Sequence, residues 1–332
     1  MGLELSILCQ SPVVEGRSPV EAVNETSALA QRADALGYKR FWVSEHHNDA
    51  ALAGASPAVM ISHLASVTQQ IRVGSGGVLL PHHRPLAIAE QFNLLESLFP
   101  GRIDLGLGRS GGSEGRVAQA LNSQVGKGVT FADVTELESY LGSGDKRRPF
   151  EEVYASPRRD GAPPVWILGS SPASARYAAS RGLPYAFGAF IDPRHVVEAL
   201  TAYHQNFESD SDGSKPRVML AWFALCAETR EAAESLAASS EAWFIETFLR
   251  GQNHPFPAQA RAEAATYSQQ EEMLLDMRRQ SCSVGTADEV LGQLSQMSQQ
   301  LMIDEFMLVS LCADHDARVR NYELLAQANG QC

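Results

Sequence analysis

Short apolar runs alternate with longer amphipathic segments along almost the whole chain. LELSILCQ (3–10) reads as a strand followed by a helical stretch near 19–36, and KRFWVSEH (39–46) as a strand followed by a helix from about 57 to 69. IRVGSGGVLL (71–80) precedes a helix near 86–98 that a Pro100-Gly101 turn stops, and RIDLGLGR (102–109) follows at once. Between 110 and 163 the pattern weakens: GRSGGSEG and GSGDKRRPF read as loops, with short helices around 116–122 and 131–141. It resumes with PVWILGS (164–170), YAFGAF (185–190), RVMLAWFALCA (217–227) and DEFMLVSLC (304–312), each followed by a plausible helix. Parallel strands need helical crossovers, and eight strand–helix units in one chain fit a closed (β/α)8 TIM barrel better than an open doubly wound sheet. The fold class is therefore α/β, with a single domain spanning 1–332. One segment breaks the rhythm before the eighth strand. Residues 250–283 are too long for an ordinary connection and too polar for core, so they form either a lid over the barrel mouth or a surface excursion.

Composition narrows the partners. The chain has 332 residues, 44% apolar and 20% charged, enough to bury one large core. A net charge of −12 and a pI near 5.2 argue against a nucleic-acid surface or a polybasic membrane anchor, both of which need concentrated positive charge, and favour a small-molecule partner. The start, MGLELSILCQSP, lacks the pattern of a secretory signal, and no apolar stretch approaches the ~18 residues of a membrane span, so the expected location is cytoplasmic. The five cysteines are widely spread and never in a C-x-x-C arrangement; they read as reduced thiols, three of them inside expected strands.

Four stretches carry candidate chemistry. FWVSEHHND (41–49) ends an apolar run in a carboxylate and two imidazoles. Successive strand residues face opposite ways, so Glu45 and His47 do not share a side with His46, and adjacent histidines make a poor metal pair. No H-E-x-x-H or Cys/His zinc pattern occurs either, and no metal is expected. His46 then stands at the C-terminal rim of a barrel, where such folds place their chemistry, or merely caps the strand. GLGRSG (106–111) matches a dinucleotide fingerprint but belongs to the fourth unit of a repeating series and leads into no long helix. Its glycines leave room for a flat ligand and Arg109 offers a fork suited to phosphate, unless the glycines only lighten the interior and the Arg is solvated. LGSSPASARYAA (168–179) is a strand end, a turn and a helix opened by Pro172; its backbone N–H groups with Ser171 and Ser174 make either a phosphate seat or a plain cap. GSGGVLLPHHRP (74–85) sets Gly76 and Gly77 late in a strand, where only a backbone reason accounts for them. Trp222, Phe223, Phe190 and the 250–283 segment would shape an apolar pocket or serve as ordinary packing.

Together, FWVSEHHN, VGSGGVLLPHHRPLAIAEQFNLLESLFPGRIDLGLGR, PVWILGSSPASARYAASRGLP, VGTADEV and DHDARVRNYELLA resemble the bacterial luciferase-like flavin-dependent oxidoreductases, in their short single-chain group. The resemblance covers nearly the whole chain. It implies a (β/α)8 barrel using FMN in its reduced form, with the deazaflavin F420 as the alternative. Gly76-Gly77 matches the pair that forms a non-proline cis peptide beneath the isoalloxazine ring; Arg109, Ser171 and Ser174 match phosphate-binding positions; His46 matches the active-site histidine of the E-H-H motif. The implied activity is monooxygenation of a small organic substrate by O2 through a C4a-hydroperoxide, with reduced flavin delivered by a separate reductase and the chain acting as a homodimer. A hydride-transferring FMNH2- or F420H2-dependent reductase and a non-catalytic flavin-binding subunit remain open. The chain departs from its near relatives at GRSGGSEG, where they commonly read GRAPG, and at Pro81-His82-His83-Arg84-Pro85, where they often read P-N-H-S-P.

Overall fold

A computed structural model describes residues 2–109, 116–121, 131–141, 148–209 and 213–331. Ser110 and Gly111 of the GLGRSG stretch lie outside the described residues, as does most of both loops expected between 110 and 150. In chain order the strands are β1 (Leu5–Cys9), β2 (Arg40–Val43), β3 (Arg72–Ser75), β4 (Val78–Leu79), β5 (Ile103–Gly108), β6 (Val165–Gly169), β7 (Tyr185–Gly188), β8 (Val218–Cys226), β9 (Cys282–Gly285) and β10 (Glu305–Val309). All strand pairings are parallel. The order runs β1-β2-β3-β5-β6-β7-β8, and β10 closes the barrel by pairing with both β8 and β1. This is the expected (β/α)8 barrel.

Alternation along each strand sorts the side chains into two cores. Ile7, Phe41, Val73, Leu105, Ile167, Phe187, Leu220 and Leu308 face the surrounding helices, while Leu8, Trp42, Trp166, Ala186, Met219 and Met307 fill the interior. Several helices of the outer ring begin on proline: Pro19, Pro57, Pro85 and Pro172 each occupy the first turn, where the missing N–H would have had no partner. Ser18 before the first of them forms a capping box with Glu21.

The N-terminal end of the barrel is plugged by charge. Arg40, 2% exposed, pairs with Asp104 at 2.6 Å and with Glu305 at 2.8 Å. Arg72 adds a second contact to Asp104 at 2.7 Å, Arg217 a second to Glu305 at 3.0 Å, and Trp42 Nε1 donates to Asp104 at 3.1 Å. Ser6 Oγ also donates to Glu305. Burial alone would lower the Arg40 pKa, but the two carboxylates outweigh it and raise the pKa, holding the guanidinium charged.

Two features differ from the sequence expectation. The single strand expected over 71–80 is two short ones, β3 and β4, separated by a cis peptide at Gly76-Gly77. And 250–283 is more ordered than a polar excursion: it holds helices Gln259–Glu263 and Gln269–Arg279 and ends in β9, a strand the sequence reading did not anticipate. β8 is long enough to serve twice, pairing with β10 from Met219 to Phe223 and with β9 from Phe223 to Cys226. The near end of the segment is anchored as well. Phe256, fully buried, donates its N–H to the Val13 carbonyl and accepts from the Glu15 N–H, both at 2.8 Å, while Asn253 bonds the Asn48 carbonyl and the Ala50 N–H. These partners lie in the loops after β1 and β2, so the segment sits at the C-terminal mouth.

Candidate active site at the barrel mouth

β2 ends at Val43, and the next four residues diverge. Glu45 turns away from the interior and is 2% exposed. Its Oε1 accepts hydrogen bonds from His47 Nε2 and His83 Nε2, both at 2.8 Å, and its Oε2 accepts from the Leu79 N–H at 2.8 Å. Burial would push this carboxyl up, yet the bonds from His83, His47 and Leu79 together prevail and hold it below its ordinary value. Glu45 thus fastens β4 to the end of β2, and the opening pair of imidazoles divides: His47 belongs to this anchor, His46 does not.

His46 follows Trp42 and Ser44 toward the barrel interior, as the strand alternation requires. Its N–H donates to the Gly54 carbonyl at 2.7 Å, and its ring Nε2 lies 3.4 Å from Gln10 Nε2, at the long limit for such a contact. Burial keeps the imidazole below its usual pKa of 6.5, so the ring is neutral at pH 7 and able to take up a proton. Gln10, one residue beyond β1, was not singled out from the sequence; the only signal was a polar side chain directly after an apolar run.

The glycines have a backbone reason. A Cβ on Gly76 would lie 2.7 Å from Leu8 Cδ1, one on Gly77 2.9 Å from the Gly106 carbonyl oxygen, and one on Gly106 2.1 Å from the Ser75 carbonyl oxygen. β3, β4 and β5 therefore approach at distances only glycine allows. Gly76 also donates its N–H to the Val43 carbonyl at 2.8 Å, tying the cis pair to the strand that carries His46.

Beside them, Arg109 follows β5. Its guanidinium lies 4.1 Å over the Phe131 ring, which stacks on Tyr177 at 3.9 Å. Arg109 Nε is buried and has no hydrogen-bond acceptor among the described residues, and burial lowers the side chain's pKa from its ordinary value. Ser171 caps the helix Pro172–Ser180 by accepting the Ser174 N–H. Ser174 is fully buried; its hydroxyl donates to the Ser171 carbonyl at 2.8 Å and accepts from the Tyr185 hydroxyl at 3.0 Å. Of the two serines expected at a phosphate, Ser171 stands at the partly exposed shelf while the Ser174 hydroxyl is engaged inside. Tyr177 backs the Phe131 ring beneath Arg109, and Tyr185 bonds Ser174 within the shelf. Neither Phe131 nor the two tyrosines stand out in the sequence.

His46, Gly76, Gly77, Arg109 and Ser171 thus follow four adjacent strands, β2, β3–β4, β5 and β6, and occupy one arc of the rim. Of the apolar candidates, Phe223 faces the interior and Phe190 packs against it, whereas Trp222 points outward and donates Nε1 to Ser283 Oγ at 3.0 Å. Among the described residues there is no group of three or more His, Cys, Asp or Glu side chains placed to hold a metal, no disulfide, and no helix long and apolar enough to cross a membrane.

Comparison with known proteins agrees with this fold. Residues 3–305 match the family model described as luciferase-like monooxygenase. The chain is 41% identical to the uncharacterized protein YwcH of Bacillus subtilis over 98% of this chain and 99% of that one, and 36% identical to a luciferase-like monooxygenase of Escherichia coli over 97% and 96%. Its fold superposes on the crystal structure of apo-MsnO8 with a TM-score of 0.88 at 35% identity, covering 100% of this chain and 98% of that one. The barrel and these full-length likenesses place the chain in the luciferase-like monooxygenase family of flavin-dependent oxidoreductases.

Proposed function

We propose that this chain binds reduced FMN along the β2–β6 arc of the rim and uses it with O2 to place one oxygen atom on a small organic substrate held in the barrel mouth. The observation that carries the reading is the buried Arg109 Nε without an acceptor among the described residues, on a side chain packed over Phe131. A donor left unpaired in a desolvated place costs about 1–3 kcal/mol, and a phosphate oxygen would satisfy it. When bound, the flavin supplies the oxygen chemistry; the protein binds, orients and controls protons.

Arg109 with its planar fork and Ser171 at the helix start hold the phosphate. Ser174, through its bonds to Ser171 and Tyr185, fixes the shelf rather than touching the ligand. The Gly76-Gly77 backbone forms the floor for the flat ring, kept in place by Glu45 through Leu79 and by Val43 through Gly76. His46, neutral at pH 7, receives or returns the proton at Nε2, with Gln10 holding the ring's orientation. The 250–283 segment excludes water from above. A partner reductase supplies the reduced flavin, and the chain works as a homodimer in the cytoplasm.

The test is an anaerobic mix of the protein with reduced FMN, then rapid exposure to oxygen while the flavin absorbance is recorded. Reoxidation slower than that of free flavin is the expected result; an identical rate would overturn the proposal. Equilibrium titration with FMN and with F420 separates the two cofactors, and tighter binding of F420 would replace FMN in this reading.

A further inference from the structure

On the helix Gln269–Arg279 two adjacent arginines have opposite surroundings. Arg279 is exposed and saturated, with Glu241 held through two bonds of 2.7 Å and Asp276 at 3.0 Å. Arg278 is partly buried, and while its backbone carbonyl accepts from Ser281, its guanidinium makes no hydrogen bond or ion pair with any described residue. Its guanidinium instead stands over two aromatic rings, 4.6 Å from the centre of Phe244 and 5.7 Å from that of Phe223. Phe223 is an interior-facing residue of β8, and its register with Val309 puts it at the level where β10 ends, so the cation overhangs the mouth. The helix that carries Phe244 holds a second orphan: Trp243 Nε1 is buried without an acceptor among the described residues.

A guanidinium taken from water and set on aromatic faces keeps its charge through the rings' quadrupoles, but its in-plane N–H groups still require acceptors. The nearby Glu241 is already taken by Arg279. What matches a planar fork bordered by Phe223 and Phe244 is a planar anion on an apolar body. We propose that Arg278 is the substrate's anion anchor, and that the substrate is a small carboxylic acid whose carboxylate pairs with Arg278 while its apolar part lies on Phe223. This rests on reading the mouth as the substrate site, and it adds the substrate class and the residue that selects it.

The test measures binding rather than turnover, so it stands apart from the oxygen chemistry. Phenylacetate, hexanoate and 4-phenylbutyrate, each beside its uncharged amide, are titrated into the full chain saturated with FMN and into the same chain without it. At least one acid is expected to bind about 10- to 100-fold tighter than its amide, the usual reach of a charge-assisted pair. Arg278→Met should bring that acid to its amide's affinity, Arg278→Lys should restore part of the difference, and Arg279→Met should leave it intact. Equal binding of acids and amides, an equal loss in Arg279→Met, or displacement of the acid by FMN would each overturn the assignment; the last would give Arg278 to the flavin phosphate instead.

Discussion

The two ends of this barrel solve the problem of buried polarity in opposite ways. At the N-terminal end Arg40, Asp104, Glu305, Arg72, Arg217, Ser6 and Trp42 close on one another, each carboxylate shared by at least two donors, although Trp166 Nε1, on the ring beneath Arg40 and Arg217, has no acceptor among the described residues. At the mouth, donors are packed and then left waiting: Arg109 Nε and Trp243 Nε1 lack acceptors among the described residues, and His46 meets Gln10 only at 3.4 Å. Satisfying a buried group and leaving it open have similar structural requirements but opposite energetic signs. The closed end holds the fold, and under the proposed function the open end gives up stability for a ligand.

That contrast sets the order of expected effects. The largest belongs to the closed end: Asp104→Ala leaves Arg40 and Arg72 without a shared carboxylate, and urea unfolding should show a loss of about 3–5 kcal/mol. A loss below about 1 kcal/mol would mean the network is dispensable. His46→Ala comes next and should behave in the opposite manner, keeping the melting temperature while steady-state turnover falls roughly 10²- to 10⁴-fold. An unchanged rate would remove His46 from the proton path. Arg109→Ala should raise the dissociation constant for FMN about 10- to 100-fold, read by fluorescence titration, with stability unchanged or slightly improved because a buried donor without an acceptor among the described residues has gone.

The smallest effect is a pH dependence at the seam between strands. Folding holds the Glu45 carboxyl below its ordinary 4.5, so its contribution to stability is fully present above pH 4.5 and drains away as the pH falls through the folded value. The stability gap between wild type and Glu45→Gln should therefore be constant near neutrality and narrow below pH 4.5. A gap that widens in acid would contradict the assigned sign.

The strand–helix alternation was legible because period 2 and period 3.6 leave different marks on a sequence, and the Ser-Pro starts at Ser18, Ser56 and Ser171 punctuated it. The division of Glu45 and His46 onto opposite faces followed from the same alternation. What could not be read were partners distant in sequence: His83 reaches Glu45 across 38 positions, and Tyr185 reaches Ser174 only because β6 and β7 pair. Whether the Ser174 hydroxyl faced a ligand or the interior depended on that tyrosine. β9 was hidden for another reason, since CSVG is four residues long and follows a polar helix. Its trace lay in its partner: the apolar run of β8 is longer than a barrel of this size needs, and the surplus residues are those that pair with β9.

The anchoring of the 250–283 segment bears on how such enzymes diversify. Its ends are sewn to Val13, Glu15, Asn48 and Ala50 at one side and to the last residues of β8 at the other. Exchanging the segment alone between relatives would orphan those backbone groups, so a working chimera must carry residues 13–15, 48–50 and 223–226 with it. Under the proposed function, any change of specificity made in this segment is constrained by the three distant stretches that anchor it.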